Sequence, residues 1–216
     1  MALTPTGMSG MTIKSIMAPT PAEHDALKAM FEARKQVFVD LLKWDLAVLD
    51  QRYEVDQFDD SNARYLIVCG TGGAHRASAR LLPTDRPHIL GSLFSSLCET
   101  AVPAGPGIAE ITRFCLDRRQ SAAERKFNRN RLVSALVRHA LANGIRMYTG
   151  VAHFAWLQQI LAFGWSCRPL GAPHTFACGQ LGALSIEIDD NTPSLLKANG
   201  IWQVENDADA RVLEAA

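Results

Sequence analysis

Residues 108–116 read Ile-Ala-Glu-Ile-Thr-Arg-Phe-Cys-Leu, and the chain runs on through Ser121-Ala-Ala-Glu124 to Ile145-Arg-Met-Tyr-Thr-Gly-Val151. The first stretch has the β-branched and aromatic content of a strand. Ser121 followed three residues later by Glu124 is a capping-box pattern that opens a helix reaching about Asn143-Gly144. Residues 145–151 then form a second strand. Upstream, RYLIVCG (64–70) and HRASARLL (75–82) make a hairpin around Gly72-Gly73. Downstream, a helix over Phe154–Phe163, strands over Trp165–Leu170 and Gly182–Ile188, and a short helix near Pro193–Ala198 follow in turn. Strands gather first as an antiparallel meander and then alternate with helices. That order predicts an α/β or α+β fold, compatible with an α-β-α sandwich.

Nearer the N-terminus, Met11–Met17 reads as a strand and Pro21 to about Leu42 as a helix. The helix carries Leu27, Met30, Phe31, Val37, Phe38 and Leu41 at three- and four-residue steps. Residues 43–62 are acidic and irregular, a long ordered loop of the kind that usually has a function. Residues 90–97 make a short helix and 103–107 a loop. The domain expectation is an N-terminal extension over 1–11, a single domain over 12–200 and a C-terminal tail over 201–216.

With 216 residues, 48% hydrophobic, the chain suits one domain with a substantial core. Lys+Arg and Asp+Glu balance at 22 each, so charge alone selects no partner. No apolar run reaches the roughly 18 residues of a membrane span, and the N-terminus lacks the pattern of a signal peptide. Five scattered cysteines point to reduced thiols and a cytoplasmic protein. The spacing offers no metal site, and no Ser-His-Asp or Cys-His nucleophile stands out. Direct attack by a substrate amine fits better than covalent catalysis.

Three charged constellations sit beside β-prone sequence, where charge is costly unless paired or used. Residues 40–60 hold seven acids (40, 45, 50, 54, 56, 59, 60) against Lys43 and Arg52. The plain reading is an acidic surface loop. The aromatic residues Phe38, Trp44, Tyr53 and Phe58 favour instead a site for a small cation, by ion pairing and cation–π attraction. S-adenosylmethionine, a polyamine or a choline-like ligand would all fit. Arg34 shares a helix face with Phe38; it is either a solvated or salt-bridged residue there, or clamps a carboxylate or one of the loop acids bidentately. Arg80 closes a strand and could partner Asp56 or Asp59. In 110–114, strict alternation puts Glu110, Thr112 and Phe114 on one face and Ile111 and Arg113 on the other, unless a bulge intervenes. Glu110 there is either a sheet-edge salt-bridge partner or a general base, and Thr112 a donor to a reacting carbonyl. Residues 113–146 carry nine Lys/Arg against two acids, densest at Arg118, Arg119, Arg125, Lys126, Arg129 and Arg131. Such a run is a solvated helix face or a docking surface for a phosphate or an acidic carrier protein. Nucleic acid fits less well, because no recognition-helix or aromatic pattern accompanies the charge.

Taken in order, Arg34, Phe38, Trp44, Asp56 and Asp59 in ExDxxD, Arg80 in RLLPT, Phe94, and Glu110 and Arg113 in EITRF resemble the acyl-homoserine-lactone synthases, the LuxI-type autoinducer synthases of quorum sensing. The interval between Trp44 and Asp56 is about a residue longer than that pattern. The resemblance implies a mixed sheet flanked by helices, like that of the GCN5-related N-acetyltransferases, although their glycine-rich pyrophosphate loop is missing. It implies a reaction too: the amine of S-adenosylmethionine, a substrate and not a cofactor, attacks an acyl thioester, and its carboxylate then closes the lactone and expels methylthioadenosine. The donor would be acyl carrier protein or coenzyme A. By the same resemblance Arg34, Phe38, Trp44, Asp56 and Asp59 form or support the S-adenosylmethionine pocket, braced by Arg80. Glu110 is the base, Thr112 the carbonyl-side donor and Arg113 an orienting partner. Phe94 lines the entry to an acyl tunnel between the sheet and the C-terminal helices, near Met147, Thr149, Val151, Trp156 and Leu157. Thr149 is a counterpart of the threonine that favours 3-oxo chains in some members. Two other readings stand beside this one: an N-acyltransferase of the same fold acting on another amine, and a non-catalytic carrier or ligand sensor.

Overall fold

The computed structural model describes residues 21–204 and 212–215. The expected N-terminal extension and the strand Met11–Met17 lie outside the described residues. The chain runs α1 (Pro21–Arg34), a π-helical turn (Lys35–Leu41), β1 (Val48–Leu49), β2 (Tyr53–Glu54), β3 (Arg64–Cys69), β4 (His75–Pro83) and α2 (Ile89–Leu93). It continues with β5 (Ile108–Leu116), α3 (Ala122–Ala142), β6 (Met147–His153), α4 (Phe154–Leu161), β7 (Ser166–Pro169), β8 (His174–Phe176), β9 (Gly179–Glu187), α5 (Thr192–Ala198) and β10 (Val212–Ala215). Eight strands form one sheet in the order β10-β3-β4-β5-β6-β9-β7, with β8 also on β9. Only the β5–β6 pair is parallel, among the described residues. α3 makes the crossover that a parallel pair needs.

Both faces are covered, as expected of an α-β-α sandwich. On one, Leu132, Val133, Leu136, Val137 and Ala140 of α3 pack with Leu157 of α4 and Leu196 of α5 against Leu66, Val68, Tyr148, Leu184 and Ile186. Each such buried side chain contributes roughly 1.5–3 kcal/mol. On the other, Ala26 and Met30 of α1 and Ile89 of α2 cover Tyr65, Ile67 and Leu82. The capping box forms as the sequence predicts: Glu124 N–H donates to Ser121 Oγ, and Ser121 N–H donates to Glu124 Oε2.

Several expectations need correction. The first helix widens to π-helix at Lys35, so its later apolar residues turn differently from a regular helix and Phe38 packs with Ala33 and Cys115. The acidic loop contains a small hairpin, Val48↔Glu54 and Leu49↔Tyr53. Its turn holds Asp50 and Gln51 at φ 50° and 55°, and Arg52 N–H donates to Leu49 O. The expected C-terminal tail instead supplies β10, which pairs antiparallel with β3. β8, between Pro173 and Gly179, escaped the sequence reading.

Two irregularities of β5 create the site. Ser78 pairs with Cys115 but Arg80 pairs with Thr112, so Ala79 faces both Arg113 and Phe114 in a β-bulge. Arg113 takes φ 50° there, a left-handed conformation costing on the order of 1–3 kcal/mol in a non-glycine residue. On its other side β5 pairs with β6 only from Ile108↔Met147 to Ile111↔Gly150. Beyond that point their pairing ends, although β5 runs on to Leu116 and β6 to His153. Gly150 sits at the last contact, where a Cβ would lie 3.1 Å from Ile111 O.

Candidate active site

The bulge overturns the predicted alternation. Ile111, Phe114 and Leu116 pack on the α3 face, while Glu110, Thr112, Arg113 and Cys115 lie on the α1 face. Arg113 therefore joins Glu110 and Thr112, and Phe114 leaves them to pack against Trp156 with ring centroids 5.4 Å apart.

Around Arg113 the acidic loop closes into an ion-pair network. Arg34 donates from Nε to Glu54 at 2.5 Å and bidentately to Asp59 at 2.8 Å on both oxygens. Arg80 donates bidentately to Asp56 at 2.6 and 3.0 Å, lies 2.7 Å from Asp59 and reaches Thr112 Oγ1 at 2.9 Å. Arg113 bridges Glu54 at 3.0 Å and Asp56 at 2.7 Å. The Tyr65 hydroxyl donates to Asp59 at 2.8 Å. Three guanidinium groups thus meet three carboxylates, so the cluster is internally neutral. Burial alone would push the Asp59 carboxyl up, but hydrogen bonds and charge from Arg34 and Arg80 outweigh it and hold the group well below the usual carboxylate range. Asp56 is lowered on the same balance, against Arg80 and Arg113. Burial pulls Arg34 down, and the Asp59 and Glu54 carboxylates more than reverse it.

These contacts correct the idea of a carboxylate cluster free to receive a cation. Asp59 and Glu54 are spent on arginines inside the protein; Arg34 and Arg80 brace the loop. Only Asp56 and Arg113 reach the surface of the cluster, with side chains 16% and 10% exposed. The aromatic residues stand beside them. Arg113 lies over the Phe38 ring at 5.6 Å, Phe38 stacks on Trp44 at 5.0 Å, and Trp44 stacks on His153 at 5.4 Å. His153 ends β6, three residues past its last pair with β5, and was not among the predicted residues. Strand alternation from Thr149 and Val151 places it on the site face, and that signal was available.

Glu110 is fully buried on the same face. One carboxylate oxygen accepts the N–H of Leu90 at 2.9 Å, and the other has no protein partner. Burial raises this carboxyl to about 7, against the opposing pull of the Leu90 and Ile89 N–H groups and the Arg80 and Arg113 charges. A buried carboxyl poised near neutrality suits a general base. Thr112 accepts from Arg80, and its own proton has only a 3.4 Å contact with Arg80 O, leaving it able to turn toward a substrate.

The predicted acyl-pocket residues divide between the two faces. Phe94 and Val151 meet in one apolar cluster with Leu90, Leu97, Leu181 and Ala183, and Phe176 closes edge-to-face on Phe94 at 5.2 Å. Thr149 is buried on the same face, and alternation puts the half-buried Met147 there too. Trp156 and Leu157 belong to the opposite face, because the alternation of β6 separates them from Thr149 and Val151. The structure thus does not bring the predicted acyl-pocket residues together on the side of the C-terminal helices: Phe94, Thr149 and Val151 lie on the α2 side of the sheet and Trp156 and Leu157 on the other. Of the basic residues, Arg118, Arg119 and Lys126 are exposed, with Arg119 paired to Asp117. Arg125 is half-buried, Arg129 folds over Phe163 at 4.9 Å and Arg131 over Phe127 at 5.7 Å.

The family model for autoinducer synthases matches residues 20–195. The acyl-homoserine-lactone synthase of Ralstonia nicotianae is 30% identical, over 80% of this chain and 87% of that protein. A CoA-dependent acyl-homoserine lactone synthase, BjaI, solved with SAM and isopentyl-CoA, superposes with a TM-score of 0.71 at 28% identity, covering 83% of this chain and 86% of that one. An acyl-CoA N-acyltransferase from Pseudomonas aeruginosa shares the fold alone, with a TM-score of 0.53 at 16% identity over 77% of this chain and 92% of the other. The chain belongs to the autoinducer synthase family.

Proposed function

We propose that this enzyme, an acyl-homoserine-lactone synthase, binds S-adenosylmethionine against Phe38, Trp44, Asp56 and Arg113 and acylates its amine where the pairing of β5 with β6 ends. The observation that carries this reading is Glu110, a buried carboxyl near neutrality on the face where the bulge sets Thr112 and Arg113. Aromatic faces attract the sulfonium, and the exposed edge of Asp56 attracts the ammonium. Glu110 takes a proton from the amine as nitrogen attacks the thioester carbonyl, and Thr112 turns its hydroxyl to the developing oxyanion. The thiolate leaves. The substrate's own carboxylate, held in place by Arg113, then displaces methylthioadenosine from the γ-carbon. That step has a good leaving group and an internal nucleophile, so positioning supplies most of its acceleration.

The acyl chain is assigned to the pocket of Phe94, Met147, Thr149 and Val151. The donor thioester enters from acyl carrier protein or coenzyme A, with Arg118, Arg119, Arg125 and Lys126 as the docking charges for an acidic carrier. Charge reversal at Arg118 and Lys126 is expected to raise KM for acyl carrier protein several-fold at low salt, with the difference shrinking as salt is added. An unchanged KM in steady-state assays removes the docking role. All five cysteines are free thiols, which supports a reducing, cytoplasmic setting. Among the described residues no helix is long and apolar enough to cross a membrane.

Mass spectrometry of the purified protein given S-adenosylmethionine and a panel of carrier-protein and coenzyme A thioesters tests the reaction. An acyl-homoserine lactone with methylthioadenosine is expected; an amide without methylthioadenosine indicates plain N-acylation. Trp44→Ala tests the pocket. Removing a ring stacked on both Phe38 and His153 is expected to weaken S-adenosylmethionine binding about tenfold, near the 1–2 kcal/mol of a cation–π contact. Unchanged affinity by calorimetry moves the pocket elsewhere.

A further inference from the structure

Three buried side-chain oxygens lie in a row across the sheet with no protein hydrogen-bond partner: Glu110 Oε2 on β5, Thr149 Oγ1 on β6 and Ser185 Oγ on β9. Register sets the row. Glu110 is opposite Thr149 across the parallel pair, and Thr149 is opposite Ser185 across the antiparallel one. The next position along is Arg168, opposite Ser185 on the edge strand β7 and exposed. Directly opposed side chains share a face with Cβ atoms about 4.5–5.5 Å apart, a spacing that one water bridges. Glu110, Thr149 and Ser185 are each no more than 1% exposed, and Leu90, Leu97, Leu181 and Ala183 line the same face. A lone buried hydroxyl costs about 1–3 kcal/mol, and folded proteins meet that cost with bound water.

The reaction gives such a row a task, on the synthase reading above. The amine arrives as an ammonium and loses two protons as the N–C bond forms and the C–S bond breaks. One ends on the departing sulfur, and Glu110 accepts the other. Glu110 must return to the carboxylate before the next turnover, yet it has no surface of its own. The charged groups facing it are Arg80 from β4 and Arg113 from β5, neither of which accepts a proton. From α2 the N–H groups of Ile89 and Leu90 meet it, and on β6 Thr149 stands opposite it. At the far end of the row, Glu187 and Arg168 lie at the exposed edge.

We propose that Thr149 and Ser185 hold a file of bound water that carries the proton accepted by Glu110 across the sheet to solvent at the β7 edge. Both are positioning residues for the base. Ser185→Ala and Thr149→Val are each expected to slow single-turnover amide formation about tenfold at pH 7, with KM for S-adenosylmethionine unchanged. They should enlarge the solvent deuterium isotope effect equally for saturated and 3-oxo thioesters, whereas Ser185→Thr keeps most of the rate. A wild-type rate and isotope effect overturn the proposal. So does a loss confined to 3-oxo donors, which would make the row a reader of acyl oxygen. Infrared difference spectroscopy, with Glu110→Gln assigning the band, supplies a readout that needs no turnover. In the double variant the Glu110 carboxyl stretch should move to higher frequency as its hydrogen bonding is lost. An unmoved band overturns the proposal even if no thioester is turned over, and a moved band without turnover overturns only the synthase reading.

Discussion

Glu110→Gln is expected to slow amide formation by about 10²–10⁴-fold while leaving S-adenosylmethionine affinity essentially unchanged and making the folded protein more stable above pH 7. The kinetic part follows from losing the proton acceptor while keeping its shape: the amide oxygen still accepts the Leu90 N–H, and the amide nitrogen can donate toward Thr149. The stability part follows from linkage. Burial raises the Glu110 carboxyl in the folded protein from 4.5 to about 7, so between those values the folded state binds more protons than the unfolded one. Stability attributable to this group therefore falls as pH rises through that window, by a total of about 3 kcal/mol once pH exceeds 7. Glutamine has no charge to bury and should recover much of that. Activity runs the other way, rising with pH as Glu110 ionises. Calorimetric binding, single-turnover kinetics and thermal melts at pH 5 and pH 8 separate the three effects. Lost binding takes Glu110 out of the base role, and a lower melting temperature at pH 8 contradicts the account of its buried charge.

That cost explains why the site was only partly legible in the sequence. Local chemistry announces local structure. The β-branched run at Ile108–Leu116, the Ser121/Glu124 box and the Gly72-Gly73 hairpin each depend on neighbours within a few residues, and all three form as expected. The bulge at Arg113 does not. Its left-handed backbone is held by Glu54 and Asp56, which lie 59 and 57 residues earlier in the chain. The acidic loop is legible in part. The sequence offers Arg80 as a partner of Asp56 or Asp59, and it meets both, while Arg34 clamps Asp59. That Arg113 would also fold onto Glu54 and Asp56 cannot be read across 59 and 57 residues, so acids that are paired internally look like capacity for a cation. β10 was hidden for a related reason: four residues have little pattern of their own and become a strand by pairing with β3. Glu110 is the reverse case. A lone carboxylate in β-prone sequence violates the local pattern, and such a violation marks a functional residue more often than a packing one.

Arg80→Met is expected to destabilise the fold by about 3–5 kcal/mol, enough to unfold a large fraction of a marginally stable domain. The methionine fills similar space, but Asp59, with its side chain 1% exposed, and Asp56 would then share a buried pocket with one positive partner fewer. Thr112 would lose its donor as well. Arg80→Lys should recover only part of the loss. One ammonium cannot replace a planar fork that meets Asp56 at two atoms, Asp59 at a third contact and Thr112 through Nε. The pH dependence identifies the cause. The arginines depress the carboxyls of Asp59 and Asp56 below their unfolded value of 3.8, so their stabilisation is fully present above that value and drains away as pH falls through the folded values. The gap between wild type and Arg80→Met should accordingly be wide in urea titrations at pH 7 and narrow toward pH 3, where the unpaired acids of the variant are protonated. A loss below about 1 kcal/mol, the range of solvent-exposed pairs, would mean that water already reaches the cluster. The acidic loop would then have to be held over the site by Phe38 and Trp44 alone. A large, pH-dependent loss means instead that one neutral ion cluster fixes the loop, the bulge and Arg113 together, so that the aromatic wall and the base face each other before any substrate arrives.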